Sequence, residues 1–401
     1  MQYRTAPKID DQLSLLGYGC MRFSKKGGRI DQEKAERELA LALEAGVNYF
    51  DTAYIYSGCE EALGTFAAKN GNRQRMLIAT KMPHYTCKSL ADFDRIFDEE
   101  LKRLQTDYVD YYLMHMLTSF DSWQRCVDLG VVDWIARKKA SGQIRRIGFS
   151  YHGGREDFPR IVDAYPWEFC QIQLNYLDAG SQAGLDGLHY AAQAGLPVII
   201  MEPLRGGRLA GQLPNGAKQV FQQANKQRVA EGLPELSLAQ WAFRWLYDLP
   251  QVTCVLSGMN DVAQVKENCA FADMAHPDML TDQEKAVYEQ AIQQIRAVEK
   301  VPCTGCGYCL PCPKGIDIPT CFRSYNTRAT EGWFAAFWGY VQSTALSAKP
   351  HHAGLCVKCG KCAAHCPQHI DIPAEMEQVS KALEGPLYHL VRKFKGVYWK
   401  D

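Results

Sequence analysis

Short apolar, β-rich runs alternate with amphipathic segments along the first 300 residues. The runs fall at Leu13–Cys20, Val47–Asp51, Leu77–Lys81, Tyr108–His115, Arg146–Ser150, Phe169–Leu174, Pro197–Glu202 and Val252–Ser257. Between them, apolar positions recur at helical spacing. In 32–45, Ala35, Leu39, Ala42 and Leu43 share one face, and Gly46 follows as a stop signal. Most run ends lie about 25 to 35 residues apart, the length of one βα unit. Eight such units predict an α/β fold closed as a (β/α)8 barrel. The alternative is a doubly wound open sheet, and the lack of a G-x-G-x-x-G after the first run weighs against it. The stretch Leu204–Pro234, rich in Gly, Gln and Asn, lengthens the seventh unit and is expected to be a loop on the active face.

The chain has 401 residues, which suggests two domains, or a large barrel with an appendage. Hydrophobic residues make up 47% and charged residues 22%, the range of a soluble globular protein. Lys plus Arg and Asp plus Glu number 45 each, so bulk charge offers nothing to a nucleic acid or an anionic membrane. No secretory signal follows the first residues, and no run of about 18 uncharged apolar residues occurs. The expected location is the cytoplasm.

The cysteines separate two regions. Seven of the sixteen are scattered over residues 1–300, and eight of the remaining nine form two tight runs. A polar helical stretch ends near Lys300, and the domain boundary is placed near Val301-Pro302: 1–300 for the barrel, 301–401 for the rest. Cys356-x2-Cys359-x2-Cys362-x3-Cys366-Pro367 is the ferredoxin-type run for a [4Fe–4S] cluster. Cys303-x2-Cys306-x2-Cys309-x2-Cys312-Pro313 nearly repeats it. Both runs lead into similar tails, Gly315-Ile316-Asp317-Ile318-Pro319 and His369-Ile370-Asp371-Ile372-Pro373. The region resembles the helical two-cluster ferredoxins. By analogy with them, Cys303, Cys306, Cys309 and Cys366 would hold one cluster, and Cys356, Cys359, Cys362 and Cys312 the other. Tetrahedral zinc is the competing reading of the same spacing, and three-Cys runs ending in Cys-Pro favour iron–sulfur. Cys321 is left over and reads as a small core residue. Between the runs, Phe334, Phe337, Trp338 and Val341 fall at helical spacing. They would shield the clusters and pack on the barrel, or else form a docking face for an electron donor.

In a (β/α)8 barrel, chemistry gathers where strands end. Asp51 closes the second run, Lys81 the third and His115 the fourth, while Tyr56 lies in the loop after Asp51. The stretch Phe50-Asp51-Thr52-Ala53-Tyr54-Ile55-Tyr56-Ser57-Gly58-Cys59-Glu60-Glu61-Ala62-Leu63-Gly64 resembles the signature of the aldo-keto reductases. Ala79-Thr80-Lys81 and Leu113-Met114-His115 follow in that family's order, and the likeness runs over about residues 10–270. It implies a catalytic tetrad of Asp51, Tyr56, Lys81 and His115 acting on a carbonyl–alcohol pair. The residue types suit that chemistry. Hydride arriving at a carbonyl carbon puts negative charge on oxygen, so the site must supply a proton and electrostatic support. Lys81 beside Tyr56 would lower the phenol's pKa, Asp51 would hold the ammonium charged, and His115 would orient the substrate oxygen.

The same likeness implies an NAD(P)H site. It places carboxamide contacts on Ser150 and Gln171, and Met201 where many relatives carry an aromatic ring. It places the adenosine grip on Ser257, Gly258, Met259, Glu267 and Asn268. Gly258 and Gln264 stand where basic residues often meet a 2′-phosphate, with only Lys266 near, so the choice of NADP or NAD stays open. Tyr151 and His152 follow Ser150 where many relatives have Asn. Hydride moves two electrons and a cluster moves one, and no motif for a flavin joins them here. Three readings stay open. The clusters relay electrons between the barrel and a ferredoxin or flavoprotein, or they are structural or sensing in a carbonyl reductase, or the chain is chiefly a redox-responsive partner.

Overall fold

The computed structural model describes the chain except residues 154, 299, 304–308, 346–350, 367–369 and 399–401, and the side chains of 342 and 394–398. Two compact units result: Met1–Gly206 with Ser237–Leu280, and Gly207–Leu236 with Thr281–Asp401. The boundary expected near Val301 falls inside the second unit.

Eight parallel strands close the first unit into a barrel: β1 (Leu16–Gly19), β2 (Tyr49–Asp51), β3 (Leu77–Met82), β4 (Val109–Leu117), β5 (Ile144–Tyr151), β6 (Phe169–Gln173), β7 (Val198–Met201) and β8 (Val252–Ser257). Neighbours in sequence are neighbours in space, and β8 pairs with β1 through Val255 and Leu16. Alternate residues such as Tyr111 and Leu113 on β4, with Tyr49, Ala79, Phe169 and Ile199, fill the barrel interior. The first run divides. Ile9–Ser14 pairs antiparallel with Tyr3–Ala6, and only Leu16–Gly19 joins the barrel. A glycine is required at Gly64, on helix Cys59–Ala67, because a Cβ there would collide with the Arg103 carbonyl at the end of helix Leu90–Leu104. That close approach seats the signature loop preceding the helix.

The second unit is mainly helical. The expected loop Leu204–Pro234 instead contains helix Asn215–Ala230, which packs against helix Asp282–Val298. Its buried residues Ala217, Phe221 and Arg228 lie on one face, and Arg228 pairs with Glu284 at 2.7 Å. Polar residues elsewhere on the helix hide that stripe in the sequence. The repeated tails build matching helix starts. Asp317 accepts from the Thr320 N–H and opens helix Ile318–Tyr340, and Asp371 accepts from the Ala374 N–H and opens helix Ile372–Leu383. Each has proline in its first turn, where no N–H is needed. Their apolar faces form one core, against which Cys303, Cys309, Cys312, Cys356, Cys362 and Cys366 pack. Phe337 and Val341 are buried in it, whereas Phe334 and Trp338 are exposed. Cys321 is a buried core residue, as its position between the runs suggested. Among the described residues, no helix is long and apolar enough to cross a membrane.

Candidate active site and cluster site

The ends of β2, β3 and β4 bring the four expected barrel residues together. Lys81 and Asp51 are buried, and the Lys81 ammonium donates to Asp51 Oδ1 at 2.6 Å, Asp51 Oδ2 at 2.7 Å and the Thr52 carbonyl at 2.6 Å. Lys81 Nζ lies 5.3 Å from the centre of the Tyr56 ring, and Tyr56 meets His115 edge-on with centroids 6.0 Å apart. The Thr52 carbonyl is a member of this site that no side-chain motif could announce.

Electrostatics modify one expectation. Burial first, and then the Asp51 carboxylate, hold the Tyr56 hydroxyl above its ordinary pKa. The net shift is upward, and the Lys81 ammonium, whose three N–H groups go to Asp51 and Thr52, does not reverse it. Burial, followed by the Lys81 charge, drops His115 to about 2, so the ring is neutral near pH 7. His115 Nδ1 is buried without a partner among the described residues. Two further histidines bear on the site: His84, missed in the sequence and pushed down to about 4 by burial and then Arg125, and His152, noted in the sequence only as a departure after Ser150, also lowered by burial. Both add to the field on His115. They follow β3 and β5 directly, the only hint the sequence holds.

The nicotinamide candidates lie on β5 to β8, directly after β8, and on helix Val262–Asp273 that follows. Ser150 is buried and accepts from the Met116 N–H at 2.9 Å, which leaves its own hydrogen to donate. Gln171 is buried, bonds to Asp51 through its side chain and keeps Oε1 without a partner. One donor and one orphaned acceptor complement a primary carboxamide, so the residues fit the group. Met201 ends β7, half-buried against the barrel core. Ser257 and Asn268 are buried and joined at 3.3 Å, with Met259 buried beside them in sequence. Gly258, Gln264 and Glu267 are exposed; Gln264 Oε1 accepts from the Asn260 N–H and Glu267 from the Ser237 hydroxyl. Those two therefore also serve local structure. Arg22, unnoticed in the sequence, packs on Gly258: a Cβ there would come within 2.9 Å of Arg22 Cδ. It brings to this end of the site a cation that the segment 257–268 lacks apart from Lys266.

In the second unit, Cys312, Cys356, Cys359 and Cys362 line one cavity with Ile316, Ile318 and Met376. These are the four thiols that the ferredoxin analogy groups together. Among the described residues, no three Cys, His, Asp or Glu side chains converge on a single-ion site. Lone zinc needs four ligands at about 2.0–2.3 Å, and a cavity lined by four thiols together with apolar side chains is compatible with a larger group. Cys303, Cys309 and Cys366 pack on the same core, and Cys306 lies outside the described residues.

The aldo/keto reductase family model matches residues 15–289, and the model described as a 4Fe-4S dicluster domain matches 302–370. The L-galactose dehydrogenase of Arabidopsis thaliana is 30% identical over 274 residues, covering 65% of this chain and 84% of that protein. An aldo-keto reductase from Bacillus halodurans in its holo form superposes with a TM-score of 0.59 at 25% identity, over 73% of this chain and 96% of that one. A Klebsiella pneumoniae aldo-keto reductase in complex with NADPH gives a TM-score of 0.56 at 25% identity, over 70% and 91%. The closed barrel, the strand-end constellation and these likenesses agree: the chain belongs to the aldo/keto reductase family, as an oxidoreductase that carries a 4Fe-4S dicluster domain after its barrel.

Proposed function

We propose that the protein interconverts a small carbonyl and its alcohol at Tyr56, Lys81, Asp51 and His115, and that two [4Fe–4S] clusters exchange electrons with a ferredoxin or flavoprotein. The carrying observation is the Lys81 ammonium fixed between Asp51 and the Thr52 carbonyl, 5.3 Å from the centre of the Tyr56 ring that in turn meets His115. When bound, NAD(P)H supplies the hydride. Tyr56, held protonated by its buried setting, donates its hydrogen to the oxygen as that atom becomes alkoxide-like and more basic than a phenolate. His115, neutral, donates a second hydrogen bond and orients the oxygen. The Asp51–Lys81 pair supplies a fixed local dipole without reorganisation. In the alcohol-to-carbonyl direction Tyr56 takes the proton back.

Ser150 and Gln171 would hold the carboxamide, Met201 would cover the ring, and Ser257, Gly258, Met259, Gln264, Glu267 and Asn268 would line the adenosine end. Arg22 supports a phosphate there, NADP included. Cys303, Cys306, Cys309 and Cys366 would ligate one cluster and Cys312, Cys356, Cys359 and Cys362 the other. The names of the Arabidopsis L-galactose dehydrogenase and of a Novosphingobium aromaticivorans 6-dehydroglucose reductase make sugar-like carbonyls the first substrates to try.

The test is anaerobic purification with iron and sulfide analysis, followed by cluster reduction with NAD(P)H and then addition of a carbonyl. The reading expects about eight irons per chain and reoxidation of the clusters by substrate. Zinc in place of iron would overturn the cluster assignment. Nicotinamide-driven carbonyl turnover with the clusters unmoved would replace the relay by clusters of structural or sensing role.

A further inference from the structure

Each cysteine run in the second unit begins just after a segment that a polar side chain grips. Before Cys356, Ala353–Leu355 forms a tight turn whose last bond joins the Cys356 N–H to the Ala353 carbonyl at 3.0 Å. The other end of Ala353 is held too, since its N–H donates to the Tyr340 hydroxyl at 2.8 Å. Tyr340 in turn donates to Glu384 Oε1 at 2.5 Å, and the Gly354 N–H donates to the same oxygen at 3.0 Å. Glu384 Oε2 accepts from His352 Nδ1 at 3.0 Å and from the Ser380 hydroxyl at 3.2 Å. His352 Nε2 faces Arg392 at 2.5 Å, and because a guanidinium can only donate, the ring hydrogen sits on Nδ1 and points to Glu384. Tyr340, His352 and Glu384 are all buried. At Gly354 a Cβ would collide with the Glu384 carboxylate, so the backbone approach itself depends on this glycine.

The first run has a different grip. Asn326, on helix Ile318–Tyr340, donates to the Val301 carbonyl at 2.7 Å, while its Oδ1 accepts from the N–H groups of Lys300 and Val301 at 2.8 and 2.9 Å. Cys303 follows two residues later, its N–H donating to the same Val301 carbonyl at 2.7 Å. The repeat in the cysteines is thus not a repeat in the supports.

We propose that Glu384 and Tyr340 are positioning residues for the cluster that Cys356 leads, and Asn326 for the cluster that Cys303 leads, so each cluster's stability and potential can be altered without the other's. This rests on the two-cluster reading above. A buried amide hydrogen bond lost without replacement changes an opening equilibrium by roughly five-fold to a hundred-fold, the equivalent of about one to three kcal/mol. It displaces the thiolate that the turn delivers.

The experiment uses the full-length holoprotein, anaerobic, as wild type, Tyr340→Phe, Glu384→Gln, Asn326→Ala and Ser380→Ala. Ser380 bonds the carboxylate and lies beside Gly354, with no hydrogen bond to the turn among the described residues, and serves as a control. Iron release to a chelator and redox titration followed by electron paramagnetic resonance are read for each. Tyr340→Phe and Glu384→Gln are expected to release half of the iron about ten-fold faster and to shift one midpoint potential and its signal. Asn326→Ala should do the same to the other half and the other signal, and Ser380→Ala to neither. The proposal is overturned if Tyr340→Phe and Glu384→Gln match wild type, or if every variant disturbs both signals alike. Wild-type protein without iron would instead overturn the cluster reading itself, an outcome told apart by the metal analysis alone.

Discussion

An ammonium has three hydrogens, and at Lys81 each has an acceptor on Asp51 or Thr52. That single saturation decides the character of the barrel site, because it leaves Tyr56 to be governed by burial and by Asp51 rather than by a hydrogen bond from the amine. The four side chains could be read from the sequence because strand ends carry chemistry in this architecture. The direction of Tyr56's shift could not, since it depends on where three N–H groups point. The histidines give a separate prediction. His84 has a folded pKa of about 4 against an ordinary value of 6.5. Between those values the unfolded chain binds more protons, so stability is full above pH 6.5 and falls as pH drops toward 4. Urea midpoints at pH 7.5 and pH 5 should show His84→Gln losing less stability over that span than wild type, by up to about 2 kcal/mol. Equal losses in the two proteins would refute this account of His84.

Elements differ in how openly the sequence states them. The barrel strands announce themselves because they are buried on both faces and read as short apolar runs, bounded by helical segments. Leu13–Cys20 reads as one strand because its apolar character does not change at Leu15, where a hairpin arm gives way to the barrel. Helix Asn215–Ala230 hid behind Gln, Asn and Lys, since only Ala217 and Phe221 mark its apolar side. The repeated Ile-Asp-Ile-Pro tails were visible as a repeat, and the structure gives them a physical role as helix caps at Asp317 and Asp371. Replacing either aspartate with alanine is expected to cost about 1 kcal/mol, measured as a lower thermal midpoint. No change in either variant would mean that proline and the apolar face alone start these helices.

At the scale of the molecule, an aldo/keto reductase barrel is joined in sequence to a helical unit built around two cysteine runs. The second unit's own core packs against six of the cysteines proposed as cluster ligands, so on that proposal its folding and its metal are one problem. Stripping iron by chelation under anaerobic conditions is therefore expected to lower the unfolding midpoint of a helical transition and to restore it on reconstitution. A midpoint indifferent to iron would separate the clusters from the fold. The division of labour between units was legible in the cysteine distribution, whereas the assignment of 207–236 and 281–300 to the second unit was not, because it depends on helix-to-helix packing across distant sequence.

The account turns on a hydroxyl hydrogen at Tyr56 reaching the substrate oxygen as hydride arrives. The most direct measurement is the single-turnover rate of nicotinamide-dependent carbonyl reduction in Tyr56→Phe against wild type, with iron content and nicotinamide affinity checked to be equal. The predicted result is a fall of about 10²- to 10⁴-fold in the chemical step with binding unchanged. A variant that reduces the carbonyl at the wild-type rate would contradict it.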